Sequence, residues 1–132
     1  MSNIELFDEY AAKIFAVVYE TFPEKTPVDC LRISESMDVD EYGRASREAN
    51  ICRATLEWLC ESGYLRCGEE SGYFRMATLT PKGLECLKVV PSSLDGNTPI
   101  GERLVGMLKN GSKQSAVALV RTLLTEGFRM MS

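Results

Sequence analysis

TLEWLCESGYLRCGEESGYFRMATLTPKGLECL, residues 55–87, is the stretch whose reading decides the fold. Leu56, Trp58, Leu59 and Cys60 form the end of an amphipathic helix, and Gly63 supplies the left-handed residue on which many helices stop. Tyr64-Leu65-Arg66-Cys67 and Tyr73-Phe74-Arg75-Met76-Ala77-Thr78-Leu79 hold the aromatic and apolar residues that strands favour. Between them, Gly68-Glu69-Glu70-Ser71-Gly72 is a turn cluster bracketed by glycines. Thr80-Pro81 restarts a helix, with Thr as N-cap and Pro at the first helical position. The local order is helix, hairpin, helix.

Upstream, Ser2-Asn3-Ile4-Glu5 is a capping box that opens a first helix. Its apolar residues (Ile4, Phe7, Ala11, Ile14, Val18, Phe22) fall at helical spacing, and Tyr10, Phe15, Val17 and Tyr19 widen the stripe. A helix so broadly apolar is buried on more than one side. Either a partner subunit or the C-terminal segment of the same chain can cover it. Pro23 ends this helix, and Thr26-Pro27-Val28-Asp29 reads as the start of a short second helix. The polar stretch Asp38 to Gly43 reads as a turn, and a third helix is expected from about Ser46 to Ser62.

Downstream, Pro81 to Val90 reads as a fourth helix, and residues 91–98 have the composition of a linker. Residues 99–128 read as two helices joined by Asn110-Gly111-Ser112. Neither of them buries its apolar stripe alone. The expected organisation is therefore a domain over residues 1–90, a linker over 91–98, and a helical hairpin over 99–128 for packing or oligomerisation.

Composition narrows the function classes. At 132 residues the chain has the size of one domain, and its apolar content of 45% suits a globular core. No apolar run approaches the roughly 18 residues of a membrane helix, and no basic-then-apolar start suggests a signal peptide. A cytoplasmic protein is expected. Five cysteines lie far apart with no C-x-x-C, and histidine is absent. The cysteines read as free thiols filling small apolar gaps, with no metal and no disulfide. No phosphate-binding glycine loop and no nucleophile–base pair is visible, so no cofactor and no catalytic residue is expected.

The net charge of −4 is unevenly spread. Residues 1–42 carry three basic and ten acidic side chains, whereas residues 91–132 carry five basic and three acidic ones. Such a balance does not favour broad attraction to nucleic acid.

The order of elements from Ile4 to Val90 resembles the winged helix-turn-helix domains of bacterial transcriptional regulators. The closest local matches are Leu56 to Leu65, where the third helix runs into the wing, and Leu79-Thr80-Pro81-Lys82-Gly83, where the wing runs into the next helix. The resemblance implies a mainly α fold with a small β-hairpin wing, followed by the C-terminal helical hairpin. It also implies duplex DNA as the partner, read by the outer face of the third helix. On that reading Arg44, Ser46, Arg47, Asn50 and Arg53 contact DNA from the third helix, and Arg66 and Arg75 from the wing strands. Arg to guanine and Asn to adenine are favoured pairings. A homodimer through the first helix and the C-terminal helices would complete such a regulator.

The wing departs from that family's pattern, because its tip is Glu69-Glu70 where DNA-gripping wings place Arg or Lys. The alternative is a winged-helix module that binds a protein partner and no DNA.

Overall fold

A computed structural model describes residues 1–90 and 97–131, with the side chains of the last helix described through Thr125. The elements run α1 (Asn3–Thr21), β1 (Thr26–Asp29), α2 (Cys30–Ile33), α3 (Arg47–Glu61), β2 (Leu65–Cys67), β3 (Phe74–Leu79), α4 (Pro81–Lys88), α5 (Ile100–Lys109) and α6 (Lys113–Met131). The chain is mainly helical, with one three-stranded antiparallel sheet in the order β1-β3-β2.

Local chemistry sets most boundaries. Ser2 caps α1 by accepting from Glu5 N–H, and Ser46 caps α3 by accepting from Ala49 N–H. Gly63 takes a φ of +85° and releases α3 into β2. Thr80 caps α4, and its hydroxyl also reaches back to the Gly63 and Tyr64 carbonyls. The helix, hairpin and helix expected from residues 55–87 are all present. So is the Asp38–Gly43 turn, closed by Gly43 N–H on the Asp40 carbonyl (3.0 Å).

Two expectations are corrected. Thr26–Asp29 is a strand, with only Asp29 acting as a cap, for the four-residue α2. Thr26 and Val28 point inward and Pro27 outward, and the strand pairs with β3 along the register Thr26↔Ala77 to Asp29↔Phe74. Proline is tolerated there because β1 is an edge strand. The second correction concerns the cysteines. Cys60 and Cys67 form a disulfide between the last turn of α3 and the end of β2. Sequence spacing hid this, since the two meet only once Gly63 turns the chain back. Cys30, Cys52 and Cys86 are buried free thiols, as expected of small apolar fillers.

The helix α1 lies at the centre, in contact with α3, α5, α6, β1 and β3. Tyr10, Ala11, Ile14, Phe15 and Val18 are all buried, and the apolar faces of α5 and α6 (Ile100, Leu104, Ala116, Val120, Leu123) close over them. The broad apolar surface of α1 is thus covered by the C-terminal segment of its own chain. The hairpin also packs on α4. Charge supports this docking: Asp8, 5% exposed, accepts from Arg121 Nε (2.9 Å), Glu9 pairs with Lys13 (3.0 Å) and Lys113 (3.8 Å), and Glu20 pairs with Lys109 (3.2 Å). Residues 91–96 of the expected linker lie outside the described residues. The chain re-enters with Ile100 N–H donating to the Val89 carbonyl (2.9 Å). The last helix runs to Met131, past residue 128, where the expected hairpin ends.

Two outcomes follow from this packing. A Cβ at Gly83 would overlap the Tyr64 carbonyl, the point where α4 rests on the turn after α3. Gly83→Ala should therefore cost about 2–4 kcal/mol in urea unfolding, despite alanine's better helix propensity. Burial above all, helped by the neighbouring Glu9 carboxylate, pushes the Tyr10 phenol up to about 12. The folded state holds the neutral phenol, so that stabilisation is complete below the ordinary tyrosine value of 10.0 and is lost as pH rises toward about 12. Tyr19 and Tyr64 shift in the same direction, also chiefly through burial. Thermal melts should show Tm falling above about pH 10, and Tyr10→Phe should flatten part of that fall.

Candidate interaction surface

The helix α3 buries Ala49, Cys52, Thr55, Leu56 and Leu59 and turns its opposite face to solvent. That face has two edges. One carries Asn50 and Arg53 and meets the β2–β3 hairpin, the segment expected from the sequence to be a wing. The other carries Ile51, Ala54 and Trp58 and meets the first turns of α1.

On the wing edge the arginines are already engaged. Arg53 forms an ion pair with Glu70 at the wing tip and lies over the Tyr73 ring (5.3 Å to its centroid). The Tyr73 hydroxyl donates to Asn50 Oδ1 (2.8 Å), and Asn50 Nδ2 donates to the Ala45 carbonyl (3.3 Å). The acidic tip therefore folds onto the helix next to it. Arg44 is held by Asp40 (Nε to Oδ2, 2.9 Å) and lies over Tyr42 (5.0 Å). In return the Arg44 backbone N–H, above all, keeps the Asp40 carboxyl below its ordinary range.

The remaining sequence candidates scatter. Ser46 spends its hydroxyl as the α3 cap. Arg47 is exposed and makes one long hydrogen bond, to the Met1 carbonyl (3.4 Å). Arg75 donates to the Gly68 carbonyl (3.0 Å) and so braces the wing turn. Arg66 lines a separate hollow of about 370 Å³ with Phe22, Pro23, Thr78 and Pro81. The fold thus gathers Asn50 and Arg53 with Glu70 and Tyr73, leaves Arg47 a turn away, and sends Arg66 elsewhere.

The α1 edge holds what the sequence reading missed. An apolar groove of about 440 Å³ runs between the two helices, lined by Asn3, Ile4, Phe7, Ile51, Ala54, Thr55 and Trp58. Ile4 is 61% exposed and Trp58 44% exposed. The Trp58 ring is held by Phe7 edge-on (5.2 Å) and by Tyr64 stacked beneath it (6.2 Å), so it is a fixed wall. The available signal was Ala54 facing outward between Ile51 and Trp58, an apolar edge beside the apolar start of α1. Such a contiguous exposed patch, rimmed by polar residues, is the usual mark of an interaction site.

The chain matches no protein-family model, and no curated protein or solved structure is significantly similar to it.

The wing tie is a surface ion pair, and such pairs contribute little to folding. Glu70→Gln should therefore change the free energy of unfolding in urea by less than about 1 kcal/mol. A larger loss would make the tie a structural clamp.

Proposed function

We propose that this chain is a winged-helix interaction module, which docks a protein through the groove between α1 and α3 and is neither an enzyme nor a DNA reader. Support for the winged-helix part comes from the element order α1-β1-α2-α3-β2-β3 with the strand order β1-β3-β2. That is the connectivity of a helical domain with a hairpin wing beside its third helix.

One observation carries the docking part. The outward face of α3 and the turn before it, where a DNA-reading member of that class meets the duplex, combine two arginines tied to the chain's own carboxylates, and the single untied Arg47, with an apolar wall. Arg44 and Arg53 are paired with Asp40 and Glu70, while Trp58, Ala54 and Ile4 lie open beside a half-buried Ile51. Phosphate contacts need free cations, and they dominate the affinity of proteins for DNA. Desolvation of an aromatic anchor is what a protein partner supplies. Helix-in-groove docking fits the shape of the site.

A DNA-binding regulator is the second reading, favoured by Arg47, Asn50 and Arg53 sharing one exposed helix. Fluorescence anisotropy on random duplex DNA, from low to physiological salt, separates the two. The docking reading expects no salt-dependent binding. A steep loss of affinity with salt that disappears in an Arg47→Glu/Arg53→Glu variant would replace it with the regulator.

A further inference from the structure

The outward stripe of α3 runs Arg47, Ile51, Ala54, Trp58, Glu61, at the helical spacing that puts them on one side. Its charges are opposite at the two ends. Arg47 stands seven residues before Ala54 and Glu61 seven after it. Both end residues are exposed, and Glu61, like Glu57 one turn earlier, forms no ion pair among the described residues. Ala54 itself is exposed and small, so another helix can approach closely there.

We infer that the groove's occupant is a second copy of this chain, with α3 laid antiparallel on α3 about a two-fold axis at Ala54. The inference rests on the docking reading above and names its partner. An antiparallel two-fold makes the contact self-complementary: each Arg47 faces the other copy's Glu61, twice per dimer. It also places both α1 starts on the same side of the helix pair. Ile4, Ile51 and Trp58 of the two copies then form one apolar layer, flanked by the two ion pairs. Asn50 and Arg53, already bound to the wing, fall on the opposite side and need not move. A duplex would leave Ile4 and Trp58 wet. A foreign helix would have no reason to match the charge reversal about Ala54.

Trp58 is the only tryptophan, so the proposed interface has its own reporter. Sedimentation velocity of the full chain, from about 1 to about 200 µM, is run beside Trp58 emission and acrylamide quenching. The expected result is a doubling of mass with concentration, with a blue shift and loss of quenching over the same range. Arg47→Glu sets glutamate against glutamate at both ends and should weaken the dimer about tenfold or more. Arg47→Glu/Glu61→Arg should restore it, which no general loss of folding would do. Ala54→Glu should give a monomer with wild-type far-UV circular dichroism.

A dimer indifferent to these variants, or one whose formation leaves Trp58 unchanged, overturns the inference by placing the contact elsewhere. A monomer throughout the range overturns it too. Anisotropy on duplex DNA then tells the two failures apart. A monomer without salt-dependent DNA binding loses only the second copy and keeps the docking reading. A monomer whose DNA binding depends on Arg47 and Arg53 loses both.

Discussion

Everything in this structure depends on how much of α1 is buried. Tyr10, Ala11, Ile14, Phe15 and Val18 present apolar surface to α3 and the sheet on one side and to α5 and α6 on the other. Each fully buried aliphatic or aromatic side chain contributes about 1.5–3 kcal/mol, whereas an exposed ion pair contributes about 0–1. Ile100, Leu104, Val120 and Leu123 therefore hold the C-terminal hairpin in place. Asp8–Arg121, Glu9–Lys113 and Glu20–Lys109 decide where along α1 it settles. Asp8 is the exception in weight, because a buried carboxylate left without its partner would be costly.

That docking gives the uneven charge of the chain a physical sense. The excess of acid in the first third is partly an internal surface, met by the basic residues of the hairpin. The same internal pairing recurs at α3 and in the turn before it. Asp40 answers Arg44 and Glu70 answers Arg53, with tyrosine rings beneath both guanidinium groups. Cation and ring together hold each arginine more firmly than the carboxylate alone would. The acidic wing tip, odd as a feature of a DNA-gripping wing, is the natural partner of a helix whose arginine needs neutralising.

Much of the fold was legible because it is written in local chemistry. Caps at Ser2, Ser46 and Thr80, the Gly63 stop and the proline positions are decided by a few neighbouring residues each. What failed depends on contacts made far along the chain. Thr26–Asp29 carries a helix-start pattern, yet β3 offers it a free edge almost fifty residues later, and Val28 gains full burial by pairing there. Cys60 and Cys67 are close only after the turn between them is formed. The site was legible by half. The arginines of α3 could be named from their positions on a helical wheel. Their carboxylate partners could not, since Glu70 reaches Arg53 only through the wing's return. The groove was hidden for a similar reason: Ile4 and Phe7 read as core, and only the final placement of α1 shows that its first turns overhang α3.

The placement of those first turns links the fold to the proposed function. The hairpin covers the middle and end of α1, with Arg121 and Lys113 reaching back only as far as Asp8 and Glu9. The stretch before them packs on α3 through Phe7 and Trp58, with Ile4 open and Phe7 half-buried. The docking that stabilises the molecule thus also determines which apolar surface is left over. The remainder falls on the one helix whose Arg53 is already paired within the chain, so a partner that buries it has only Arg47 and the two glutamates left free among the described residues, Glu57 and Glu61, to answer.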